Sequence, residues 1–252
     1  MQRKIWSLGL LVAAVLLMGS TARADDFYVV AGGGPPTGTK ITSVPYIINN
    51  PGFYFLAGNL TYSGTTTNAI TISADDVTLD LMGFRLTGVS PLVSVNGIYM
   101  SGRSNVEIRN GTVRGFGGGG VYEDNSSGNK HRVINVRSTS NLYGILLSGQ
   151  NHLIKNCSAS DNIGNGLFVG SGLITDCVAN NNTGGYGIYI YGPGSVLGNT
   201  ACNNSQYNFR LGHGVATSIL VDRNSSFSLG TNYTINSGTT GVVITGNNSG
   251  TP

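Results

Sequence analysis

Three groups of side chains in this 252-residue sequence carry atoms suited to chemistry. His213 sits between two glycines in Gly212-His213-Gly214. Asp75, Asp76 and Asp80 form one acidic group, and Glu123 with Asp124 opens a polar stretch that runs through Asn129-Lys130-His131. Paired carboxylates suit glycoside hydrolysis, clustered ones suit calcium, and a basic residue beside them suits proton abstraction. The spacing gives little support to any of these. Asp75-Asp76 reads as a turn before a strand, its side chains serving backbone amides. The stretch from Gly187 to Tyr207, just before His213, has no acidic residue, so a Gly-His-Gly arising by chance in a Gly-rich chain is the better reading. Glu123, Asp124, Lys130 and His131 are the best place for an unusual site, with a solvated loop as the plainer alternative. Cys157, Cys177 and Cys202 have no C-x-x-C spacing, so a zinc or redox pair is unsupported. No metal and no cofactor is expected.

The elements that must position these groups repeat. An apolar-any-apolar triplet returns with first residues Ile70, Ile98, Val121, Ile145, Leu167, Ile188 and Phe209, at steps of 28, 23, 24, 22, 21 and 21 residues. Such a period means stacked units rather than a globular core. Each period holds a second apolar segment, such as Val77–Leu81 or Val133-Ile134, and a third short one, such as Cys157-Ser158-Ala159. The runs are too short, β-branched and Gly-interrupted for helices. The fold class is therefore all-β: a single-stranded right-handed parallel β-helix, a solenoid of about seven to eight coils of 21–28 residues. Asn110, Asn135, Asn156, Asp176 and Asn199 follow the second segment in one register, where Asn suits a left-handed bend and an amide ladder. One position later, Cys157 and Cys177 should be stacked neighbours. Parallel Cβ vectors suit a disulfide poorly, which favours free, buried thiols.

The expected organisation is a signal peptide over 1–24, a lead-in and cap over 25–67, repeats over 68–245 and a polar tail over 246–252. Arg3 and Lys4, an apolar run from Ile5 to Met18, and Ala22-Arg23-Ala24 carry the targeting reading. The run is too short to span a membrane comfortably, so no transmembrane segment is expected after cleavage. The destination would be the periplasm, the outer surface or the medium. Removing Arg3, Lys4 and Arg23 leaves 11 basic against 11 acidic residues. A neutral chain lacks the basic footprint of a nucleic-acid binder.

Alternation turns the outer residues of each triplet inward and the middle one outward. The outward column reads Thr71, Tyr99, Tyr122, Leu146, Phe168, Tyr189, Arg210. Four of these seven are aromatic where a solvent-facing strand is usually polar. Such a row suits stacking on sugar faces or a partner; it equally suits cross-strand packing that only stabilises the sheet. Tyr99, Tyr122, Phe168, Tyr189 and Arg210 are the candidate ligand-binding residues, with Tyr143, Tyr186 and Tyr207 flanking them.

The coils and Asn ladder, with Ile41-x-x-Val44-Pro45, Pro51-Gly52-x-Tyr54-x-Leu56 and Ala74-Asp75-Asp76-Val77-Thr78-Leu79-Asp80-Leu81-x-Gly83, resemble exported β-helix proteins of the pectate-lyase-like superfamily. The resemblance covers about residues 40 to 245. It implies the fold and leaves the activity open, because this superfamily hosts lyases, hydrolases, epimerases and adhesins. In the superfamily a polysaccharide commonly lies on the outward face of this first sheet. Gly212-His213-Gly214 resembles the motif of polygalacturonases, but the acids those enzymes place on the preceding coils are missing here. The expectation is an exported, non-catalytic module that binds a polysaccharide or cell-surface partner. A carbohydrate-active lyase or hydrolase and a purely structural surface protein are the alternatives.

Overall fold

A computed structural model describes residues 38–90, 93–227, 232–245 and 248–249. The expected signal peptide and the first part of the expected lead-in, through residue 37, lie outside the described residues, as does most of the 246–252 tail. Among the described residues, no helix is long and apolar enough to cross a membrane.

The triplets form strands because all but Val121-Tyr122-Glu123 place two β-branched or large apolar residues on one face. Ile70–Ile72, Ile98–Met100, Leu167–Val169 and Phe209–Leu211 all bury their outer residues and leave the middle one partly exposed. Nine strands, from Tyr46–Ile48 to Tyr233–Ile235, make one parallel sheet. In-register pairing carries Ile70 to Ile98, Val121, Ile145, Leu167, Ile188 and Phe209. All seven are at most 1% exposed, and burying each is worth about 1.5–3 kcal/mol. The second and third segments of each coil join a sixteen-stranded sheet. The chain thus winds through both sheets once per coil and encloses one apolar core. Pairing begins ahead of residue 68: Thr39–Ile41 pairs in parallel with Gly52–Leu56, and Tyr46–Ile48 with Ile70–Ile72.

The bend after the second segment is left-handed at Asn110, Asn135, Asn156 and Asp176, with φ of 58°, 56°, 53° and 55°. In the next coil Gly198 takes that bend at φ 66°, so Asn199 does not belong to the column assigned from sequence. Asn199 stands one place later, buried, where its Oδ1 accepts from Cys177 N at 2.9 Å. A second, longer Asn ladder is internal. Asn141, Asn162, Asn182, Asn204 and Asn208 are at most 5% exposed. Each amide donates to the next, at 2.9 Å from Asn162 to Asn182 and 2.7 Å from Asn182 to Asn204. Cys157 and Cys177 are stacked, buried and unbonded, with Cys157 N donating to Cys177 Sγ at 3.4 Å.

Candidate functional site

The outward middle residues of the nine-stranded sheet lie side by side. Thr71 pairs with Tyr99, Tyr99 with Tyr122, Tyr122 with Leu146, Leu146 with Phe168, Phe168 with Tyr189, and Tyr189 with Arg210. Leu146 divides the aromatics into two groups. In the first, Tyr99 stacks on Tyr122 at 6.5 Å and Tyr143 tilts against Tyr122 at 6.1 Å. The Tyr99 hydroxyl donates to Asp124 Oδ2 at 3.1 Å. Tyr122 and Tyr143 form one wall of a concavity of about 220 Å³ whose other walls are Ser94, Asn96, Gly117, Gly118 and Leu142.

The second group is packed more tightly. Phe168 meets Tyr189 edge-on at 5.0 Å, and Tyr189 is flanked by Tyr186 at 5.4 Å and Tyr191 at 6.3 Å. The Arg210 guanidinium lies over Tyr186 and Tyr189 at 4.7 and 4.8 Å and also contacts the Tyr186 hydroxyl. Tyr189 is consequently only 7% exposed. The alternation that points it outward says nothing of the neighbours that cover it. Its ring supports the surface, while its hydroxyl meets His213 Nδ1 at 3.2 Å. His213 in turn stacks on Tyr191 at 4.2 Å. Burial raises the pKa of Tyr99, Tyr122 and Tyr189, so these hydroxyls stay protonated near neutrality.

Below the first group lies a cluster that the sequence showed only in part. Glu123 and His131 are not in a solvated loop: both are fully buried, together with His152. Glu123 fills a core position held by Met100 and Leu147 in the adjoining coils. His131 and His152 stand in successive coils and stack at 5.0 Å, 8° from parallel. Val106 N donates to His131 Nδ1 and His131 N to His152 Nδ1, each at 3.2 Å. Accepting at Nδ1 leaves the proton of each neutral ring on Nε2. Both Nε2 atoms are 3.8 Å from Glu123 Oε2. Burial, opposed by backbone N–H bonds from Gly102, Gly149 and Asn125, pushes the Glu123 carboxyl up to about 7. Burial pulls His131 down to about 4; burial and the neighbouring ring pull His152 down to about 3. Gly128 closes over the carboxylate so tightly that a Cβ there would lie 2.0 Å from Glu123 Oε2.

This trio does not suit a metal ion as it stands. Among the described residues, no cluster of three or more His, Cys, Asp or Glu side chains is placed to hold a metal. Asp124 and Lys130, grouped with Glu123 and His131 from sequence, stand apart from the trio: both are exposed, and Lys130 is a left-handed turn residue at φ 58°. His152 went unread, although it follows His131 by one coil period of 21 residues.

The sixteen-stranded sheet carries a second polar cluster. Arg109 binds Asp80 at 2.8 Å and Glu107 at 2.9 Å, and Arg132 binds Glu107 at 2.8 Å. Asp75 and Asp76 serve the next coil, accepting from Ser104 N at 3.0 Å and the Asn105 amide at 2.7 Å.

Short strands from one chain, stacked in parallel register around one core, define a parallel β-helix. The chain belongs to the family described as "Right handed beta helix region", whose profile matches residues 54–205 and 96–251. Among solved structures, the pectate lyase Pel9A is similar at a TM-score of 0.57 with 16% identity, over 71% of this chain and 56% of that one. The A-module of the Azotobacter vinelandii mannuronan C-5 epimerase AlgE4 aligns at a TM-score of 0.49 with 16% identity, over 77% and 65%. The Dettilon tailspike protein aligns at 0.48 with 12% identity, over 84% and 59%. This chain therefore spans less than two thirds of the length of each. No curated protein matches the sequence.

Proposed function

We propose that this protein is an exported β-helix module that binds a glycan through the outward face of its nine-stranded sheet, with Tyr99, Tyr122, Phe168 and Arg210 forming that face and the covered ring of Tyr189 supporting it. The observation that carries the reading is the Tyr99–Tyr122–Tyr143 group beside the concavity of about 220 Å³. Flat, partly exposed rings held side by side by strand pairing offer stacking surfaces in a fixed array. Little entropy is lost on binding, because the rings are already packed against one another. A non-catalytic role is supported by the surroundings of the acids. Glu123 is walled off from solvent, Asp80 and Glu107 are held by arginines, and Asp124 is bonded to Tyr99. The likeness to a pectate lyase supports a carbohydrate ligand only through the shared fold. The targeting pattern of residues 1–24 is consistent with export.

The test is a glycan array run beside a polysaccharide degradation screen. Glycan binding that falls about tenfold on Tyr99→Ala or Tyr122→Ala, without product, is expected. New reducing ends or unsaturated uronates would replace the binding module with an enzyme. Binding indifferent to both variants would move the site off this face.

A further inference from the structure

A longer depression runs along the flank of the aromatic sheet, where each coil turns from the nine-stranded sheet toward the sixteen-stranded one. Its volume is about 370 Å³, and Ser148, Gln150, Ser171, Tyr191, Val215 and Thr217 are among the residues that line it. Contributions come from five successive coils, from Ser126 to Thr217, which at ~4.8 Å per coil makes a trough about 19 Å long. That length suits an extended chain rather than a small molecule. Tyr191, 41% exposed, forms its aromatic wall and is held rigid by the stack on His213 at 4.2 Å. The Thr217 hydroxyl is buried and has no hydrogen-bond partner among the described residues. Through Tyr191 and Tyr189, 6.3 Å apart, the trough is continuous with the aromatic row.

The charge pattern is as telling as the shape. No lining residue of the trough, and none of the concavity beside Tyr122, carries a carboxylate, an ammonium or a guanidinium. The nearest cation on the row, Arg210, is occupied by Tyr186 and Tyr189. The charge beside Tyr99 is the carboxylate of Asp124, which repels an anionic chain. Buried or partly buried anions are held best by cationic partners, and neither lining offers a polyuronate a cationic side chain. Hydroxyls, a side-chain amide and an aromatic plane instead match the two faces of an uncharged sugar, one hydroxylated and one apolar.

We propose that the trough is a second saccharide subsite and that the ligand of this face is a neutral polysaccharide rather than a uronate; this rests on the glycan-binding reading above. Affinity electrophoresis of the purified protein tests it, in gels containing a neutral β-glucan, a galactomannan, polygalacturonate or alginate, at about 50 mM and about 500 mM salt. Retardation by a neutral glycan, equal at both salt concentrations, is expected. It should fall about tenfold in Tyr191→Ala, and also in Val215→Asp, whose site is 56% exposed and outside the core. Retardation by polyuronates alone, relieved by salt and by Tyr99→Ala, overturns the inference while leaving the aromatic-face reading intact. Retardation by none of the four overturns both. Neutral-glycan retardation unchanged in both trough variants removes the trough from the site.

Discussion

Glu123, His131 and His152 occupy core positions with groups that are costly to charge there, so this trio sets a pH dependence. The Glu123 carboxyl, raised to about 7, binds its proton more tightly folded than unfolded. Its contribution is complete below the ordinary carboxylate value and is lost as pH rises through 7. The two rings, lowered to about 4 and 3, act oppositely. Unfolding lets them take up protons, so stability is lost as pH falls below the ordinary histidine value of ~6.5. Two histidines outweigh one carboxyl, and the net result is a stability maximum near neutrality with a loss below about pH 6. Asp75 and Asp124 also face this region and act on His131 and Glu123 respectively. Substituting His131→Val restores the residue type that Val77 and Val106 place at this position in the two preceding coils. The melting temperature from pH 5 to 8 should then show an acid limb shallower by about one proton. An unchanged limb would mean that His131 titrates as an exposed ring does.

The two Asn ladders look alike in sequence and differ in what they hold. In the outer ladder the backbone conformation matters: Asn135 is exposed, left-handed at φ 56°, and makes one amide bond to Asn110 at 3.1 Å. Asn135→Gly should change stability by only a few tenths of a kcal/mol, since glycine takes that φ freely. In the inner ladder the hydrogen bonds matter. Asn182 accepts from Asn162 N and Nδ2 and donates to Ala159 O and Asn204 Oδ1, all inside the core. Asn182→Ala strands several of these and should cost at least about 1–3 kcal/mol, read from urea unfolding of the two variants side by side. The outer ladder, the triplet strands and the inward columns were legible because each follows a local rule: turn chemistry or two-residue alternation. The inner ladder was not, because asparagine is abundant in the turns and only the enclosed cross-section shows which ones face inward. The same limit hid His152. The period of 21 places it over His131, but no spacing along the chain says that this column meets Glu123, which arrives from the other sheet.

At the scale of the molecule, each strand pairs only with its equivalents in the neighbouring coils, and the apolar columns and amide ladders run along the axis. Stability in such a stack is a sum of coil terms and nearest-neighbour terms. A defect in one coil should therefore be felt locally. Ile174 is fully buried in Gly172–Thr175, between the strands His152–Lys155 and Gly194–Leu197. Replacing it with alanine removes its contacts to both neighbours at about 2–5 kcal/mol. Hydrogen exchange should then accelerate most in those three strands and in Ser158–Ser160, Val178–Asn180 and Thr200–Cys202 beside them. It should accelerate least in Thr39–Ile41 and Tyr46–Ile48, several coils away. A graded loss centred on Ile174 is the signature of nearest-neighbour coupling. An equal loss in every strand would show that the coils open only together, and would contradict it. This coupling bears on the glycan binding proposed for the aromatic face. Tyr99 and Tyr122 stand three and two coils before Phe168, whose strand shares a coil with Ile174, so Ile174→Ala should weaken contacts at Phe168 and Tyr189 before it disturbs the Tyr99–Tyr122 stack.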